Sequence, residues 1–212
     1  MNLSLSADDV AATIEEIGIG FMFAPAHHSA MKHVITARKE IGVRTIFNLL
    51  GPLTNPAGAP NQIIGVFDEA WIPSLLDVLK ELGSSHVLIV AAEDGLDEIS
   101  IAATSTIGEL KDGKTTLYTV EPTDFGIERY ADHSMLQIDS AEESLAMLRD
   151  ALSNRNRAAA DIVALNAGAA IYAANLTKDL AAGVVRAQEV LASGEALIKL
   201  ERLAEFTQSL KK

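Results

Sequence analysis

The sequence contains no cysteine, which removes disulfide staples, a thiol nucleophile and thiolate metal sites together. No apolar run approaches the ~20 residues needed to span a bilayer, and the N-terminus lacks the charged-then-apolar pattern of a signal peptide. The expectation is a cytoplasmic protein with no membrane partner. Positive charge is scarce: 17 Lys and Arg stand against 29 Asp and Glu, giving a formal net charge of -12 and a pI near 4.8. That balance argues against nucleic acid as a partner, because neutralisation of phosphates by Lys and Arg supplies most of such affinity. Internal repeats and low-complexity segments are also missing.

What is present is an ordinary to slightly apolar globular composition, 49% hydrophobic with a mean hydropathy of +0.20 over 212 residues. That length suits one sizeable α/β domain spanning 1–212, or one domain plus a helical appendage, with a helical last third over about 140–210. The few cations are not spread evenly. Between His27 and Arg44 stand Lys32, Arg38, Lys39 and Arg44 with His27, His28 and His33, against one acid, Glu40. Any single cation here is most simply a solvated helix face, but a basic island on an acidic chain suits a site that must hold anions. Arg is especially suited to a carboxylate, since its planar fork donates two parallel hydrogen bonds. The island runs directly into Gly51-Pro52-Leu53-Thr54-Asn55-Pro56, a loop too constrained by Gly and Pro to join a regular element.

Periodicity predicts a helix over 7–17 capped by Ser6, a short apolar strand over 21–24 before Pro25, and a helix over 27–41 stopped by Gly42. A strand over 61–67, a helix over 72–82 and a strand over 86–91 follow, and their alternation implies an α/β layer arrangement with a mixed, mostly parallel sheet. Strands over 103–110 and 115–120 flank Asp112-Gly113, a strong hairpin turn. Helices are expected over 141–152, 158–174, 180–192 and 195–209. The small residues Asn166-Ala-Gly-Ala-Ala170 would let the second of these lie close against a sheet or another backbone.

Asp97-Glu98 comes just past the 86–91 strand, after Gly95, where ligands gather in open α/β sheets. Two adjacent carboxylates suit magnesium, which takes one or two of them and keeps waters and phosphate oxygens. On spacing alone, in a chain with 29 acids, solvated surface is the better reading. Neighbouring residues also tend to point apart, which argues against an acid and base pair.

The run HHSAMKHV, then ARKEIGVRTIFNLLGPLTNPAG, with NQIIGVF, EDGLDEIS and TDFGI further on, resembles the anthranilate phosphoribosyltransferase family along nearly the whole chain. The resemblance implies the nucleoside phosphorylase/phosphoribosyltransferase α/β domain, with transfer of phosphoribosyl from phosphoribosyl pyrophosphate to the amine of anthranilate in tryptophan biosynthesis. It assigns Asp97 and Glu98 to magnesium and Arg38 to the anthranilate carboxylate. His28 would face the same ligand, a role His27 or His33 could also fill, while Ala24, Pro25 and Gly51 would line its channel. Asn48, Thr54 and Asn55 are expected to satisfy their own loop. The family's N-terminal helical domain, its GTGGD loop and its NxST and KHGN segments do not occur in this sequence. The expectation is therefore a C-terminal portion, inactive alone and without the helices through which the family forms homodimers. A pyrimidine nucleoside phosphorylase-like enzyme shares this fold but not RTIFNLLGPLTNP, and a non-catalytic ligand-binding fragment is the third reading.

Overall fold

The structure, a computed structural model, describes residues 1–27, 51 and 53–210. It forms two compact units, the first comprising Met1–Pro56 and Glu195–Lys212 and the second Ala57–Gly194.

In the first unit, helix α1 (Ala7–Ile17) starts at a reciprocal cap. Ser6 Oγ accepts from the Asp9 amide at 3.2 Å while Asp9 Oδ2 accepts from the Ser6 amide at 3.0 Å, so two orphan donors of the first turn are satisfied. Val10, Thr13 and Ile17 form its buried stripe. At the other end Lys199, on the helix Glu195–Ser209, donates to the Ile17 carbonyl at 2.7 Å, and the Asn2 amide donates to Thr207 Oγ1 at 3.2 Å. The chain's two ends are thus tied side by side.

The strand expected over 21–24 does not form. Phe21 and Phe23 are exposed, no described strand pairs with them, and an unpaired extended segment has nowhere to place its backbone hydrogen bonds. A one-turn helix α2 (Ala24–His27) stands at its end; the fixed φ of Pro25 suits a first helical turn. Apart from His27, the helix expected over 27–41 lies outside the described residues.

The second unit holds a four-stranded sheet, β1 (Asn61–Gly65), β2 (His86–Ala92), β3 (Ser105–Lys111) and β4 (Lys114–Val120), in the order β1-β2-β3-β4. It is mixed, as expected, but not mostly parallel among the described strands. Only β1 and β2 run parallel, joined through helix α3 (Ile72–Glu81), while β2–β3 and β3–β4 are antiparallel. Asp112 and Gly113 both adopt left-handed backbone, φ 50 and 74, the two-residue turn whose twist matches its strands and which dictates antiparallel pairing.

Helix α3 covers one face so closely that a Cβ on Gly108 would fall 2.1 Å from Ile72. Helices α4 (Ala141–Leu152), α5 (Arg157–Ala173) and α6 (Leu180–Ser193) complete the unit. Leu88, Val90, Ile99, Ile107, Leu165 and Ala169 are almost wholly buried in the core between sheet and α5. The small-residue stretch of α5 meets a second backbone, as anticipated: a Cβ at Gly168 would sit 2.6 Å from the Val184 backbone of α6.

One polar cluster is built into this core. Buried His86 sets Nδ1 2.8 Å from Asn175 Oδ1 and Nε2 3.1 Å from Glu109 Oε1, which also accepts from the Tyr172 hydroxyl at 2.7 Å. Each partner answers another, the condition under which buried polar groups are tolerated. Burial, and then the bond to Glu109, push the Tyr172 phenol up to about 12. No described helix is long and apolar enough to cross a membrane.

Candidate functional site

The acid pair sits beyond the carboxyl ends of the two parallel strands. After β2 the chain turns at Gly95, where φ is 86, with the Ala92 amide donating to the Leu96 carbonyl at 3.0 Å. Asp97 and Glu98 then lie exposed while Ile99 and Ser100 are fully buried. The loop is anchored on both sides of the pair. Gly65, the last residue of β1, lies so close beneath Asp97 that a Cβ there would stand 1.7 Å from the Asp97 carbonyl oxygen. Behind Glu98, Asn166 of α5 clamps Ile99 with two bonds, accepting from its amide at 2.9 Å and donating to its carbonyl at 3.1 Å.

A third anchor is Asp94. Its Oδ2 accepts from Ser100 Oγ at 2.6 Å and faces His133 Nδ1 at 3.2 Å. Ser100 Oγ in turn accepts from the amides of Ala102 and Ala103. The same loop therefore turns one acid inward to hold itself and two outward.

Those two open on a cavity of about 460 Å³ whose wall is mainly apolar, including Leu136, Ile138, Met147, Leu148 and Ile162, with His133 also on the lining. Both acids line it, on backbone that is turned between β2 and β3 rather than pleated. Although the Glu98 side chain reaches solvent, protein atoms around its carboxyl strip enough water to raise its pKa, and the charge of Asp97 raises it further. Two crowded carboxylates of this kind are relieved by a cation. Among the described residues no group of three His, Asp or Glu side chains gathers as a metal ligand set. Two carboxylates, with the remaining positions left to water and phosphate, are a donor set that magnesium could accept.

Gly65→Ala is expected to lower stability by about 1 to 3 kcal/mol through overpacking against the Asp97 carbonyl, read as a fall in the urea midpoint. An unchanged midpoint would contradict the close approach.

The other sequence-predicted residues belong to the first unit. Ala24 is exposed at the start of α2 and Pro25 is its second residue. Gly51 is exposed, with nothing among the described residues within 4 Å of where its Cβ would be, and its carbonyl accepts from both the amide and the hydroxyl of Thr54 at 3.2 Å. Gly51 and Leu53 are helical, where the sequence suggested a stretch outside any regular element, and Thr54 bonds back to Gly51. Arg38, His28, His33 and Asn48 lie outside the described residues. His27 Nε2 is buried and finds no hydrogen-bond partner among the described residues. Sequence reasoning did not find Gly65, Asp94, Asn166 or His133; the only local hint was the small-residue context of Asn166.

The pattern of the family described as "Glycosyl transferase family, a/b domain" matches residues 1–197. The chain is 57% identical over 208 residues to a protein of Methylococcus capsulatus named anthranilate phosphoribosyltransferase, covering 98% of this chain and 61% of that one. To the one of Thioalkalivibrio sulfidiphilus it is 53% identical, covering 99% and 62%. Its fold superposes on the crystal structure of anthranilate phosphoribosyltransferase from Thermus thermophilus with a TM-score of 0.90 at 42% identity, covering 98% of this chain and 61% of that one. For the Saccharomyces cerevisiae enzyme in complex with PRPP and Mg the values are 0.87 and 27%, covering 98% and 60%. The chain spans about 61% of the length of the relatives it matches. With a match running through nearly its whole length, the chain belongs to the glycosyl transferase family, a/b domain.

Proposed function

We propose that this chain supplies the metal-holding and aromatic-acid-holding parts of an enzyme that transfers phosphoribosyl from phosphoribosyl pyrophosphate to the amine of anthranilate, in tryptophan biosynthesis. The observation that carries the reading is the acid pair, fixed by Gly65 and Asn166 beyond the parallel strands, in a chain more than half identical to proteins named for that reaction. Those names favour the transferase over the nucleoside phosphorylase reading.

In this account Asp97 and Glu98 hold magnesium, which when bound neutralises charge building on the leaving pyrophosphate. Arg38 grips the anthranilate carboxylate, and His28 or His27, whose Nε2 finds no partner among the described residues, supplies a further hydrogen bond. Ala24, Pro25 and Gly51 leave room for the flat ring. Little proton transfer is asked of the protein; holding the amine in line with the ribose C1 is its main contribution, an effect that reaches about 7 to 11 kcal/mol in favourable cases. Such a biosynthetic enzyme is placed in the cytoplasm, and a homodimer of the complete protein is part of the reading.

The chain by itself is expected to give no product, because the GTGGD phosphate loop is not in its sequence. The test is anthranilate consumption by the purified 212-residue chain, beside a hybrid in which it replaces the region it matches in the Methylococcus capsulatus relative. Turnover by the hybrid alone is the expected result. An inactive but folded hybrid would contradict the assignment, and turnover by the chain alone would contradict the need for the rest.

A further inference from the structure

We propose that His133 is an outer-sphere partner of the divalent cation at Asp97 and Glu98, taking on Nε2 a hydrogen bond from a water of that cation's shell. The inference rests on the metal reading above and goes beyond it to a residue on a different segment. His133 lies in the connection between β4 and α4, 39 residues from the acid it touches. Its ring is not adrift there. Nδ1 faces Asp94 Oδ2 at 3.2 Å, and Asp94 is itself fixed by the 2.6 Å bond from fully buried Ser100.

A carboxylate facing Nδ1 accepts the N–H located there, which leaves Nε2 as a lone-pair acceptor in the neutral ring. Nε2 makes no hydrogen bond among the described residues, and the imidazole shares the cavity lining with Asp97 and Glu98. His133 borders the same cavity as both acids, and in the proposed arrangement one water stands between its imidazole and the metal. Waters on a divalent ion are strong donors, and magnesium retains several of them. A carboxylate behind a histidine that faces a metal centre orients the ring and raises its strength as an acceptor. The rest of the cavity wall offers chiefly apolar groups, with Gln137 and Ser144 as neutral polar ones.

Two substitutions separate this role from a simple tether. His133→Asn keeps an N–H where Nδ1 faces Asp94 but has nothing at Nε2, whereas His133→Gln places an amide oxygen near Nε2 and gives up the anchor. Manganese(II), the probe, is titrated into the 212-residue chain and followed by water-proton relaxation, which reads both affinity and bound water. The Asn variant is expected to bind about 10-fold more weakly with its urea midpoint near wild type, and the Gln variant to stay within about 3-fold.

Wild-type affinity in the Asn variant overturns the proposal. So does an equal loss in both variants that tracks a loss of stability, the mark of a tether. The double variant Asp97→Asn, Glu98→Gln keeps the two claims apart. Manganese binding unaffected by it, or none by the wild-type chain, sinks the metal reading and the inference with it. Binding abolished by it but indifferent to His133→Asn sinks the inference alone.

Discussion

Asp97→Asn, made in the hybrid transferase, lowers kcat/KM for phosphoribosyl pyrophosphate by about 100-fold or more, and Glu98→Gln does the same. Both substitutions keep size and hydrogen-bonding ability while removing one negative charge, so the folded loop should survive; Ile99 behind it remains clamped by Asn166. What is lost is attraction for a divalent ion, and with it the counter-charge for the leaving pyrophosphate. Raising the magnesium concentration should recover part of the activity of each single variant, a recovery that damage to folding would not show.

The same pair has a pH signature. Glu98 has a folded-state pKa above its ordinary value, through burial first and the Asp97 charge second. Its ionised form therefore costs stability at neutral pH, and that cost disappears as pH falls below both the folded and the unfolded values. A bound cation removes the cost without protonation. Magnesium should accordingly raise the urea midpoint of the chain near neutral pH and lose this effect as Glu98 protonates, with Glu98→Gln weakening it near neutral pH. A midpoint insensitive to magnesium throughout would contradict the assignment.

Arg38→Ala is the second large effect. Losing a bidentate grip on a carboxylate costs about 2 to 4 kcal/mol, or roughly 30- to 1000-fold in kcat/KM for anthranilate, with KM for phosphoribosyl pyrophosphate little changed. Arg38→Lys keeps the charge but not the fork and should fall between the two. The split between substrates is the informative part, because a merely destabilised protein would weaken both. Unaltered anthranilate kinetics in Arg38→Ala would remove this residue from the site.

The sequence disclosed the features that depend on near neighbours. Ser6 with Asp9 predicted the start of α1, Asp112-Gly113 predicted the hairpin, and the apolar run after His86 predicted the central strand. It misread 21–24 because an apolar run states only that burial is wanted, not which strand will pair with it. It overstated parallel pairing because β2 and β3 are joined by a loop that folds back, held by Ser100, with no helix between them. The place of the acid pair beyond the strand ends was legible in its address. Its supports were not: Asn166 reaches Ile99 across 67 residues and His133 reaches Asp94 across 39, and no local pattern encodes such pairs.

The central claim is that Asp97 and Glu98 hold a divalent ion against a phosphorylated substrate. Its most direct test is anomalous scattering from crystals of the hybrid grown with manganese and phosphoribosyl pyrophosphate. The account predicts a peak within ligand distance of both carboxylates, about 2.0 to 2.1 Å for an ion of magnesium type, with pyrophosphate oxygens and water in the rest of its shell. A manganese peak bound elsewhere, with both carboxylates facing only water, would contradict it.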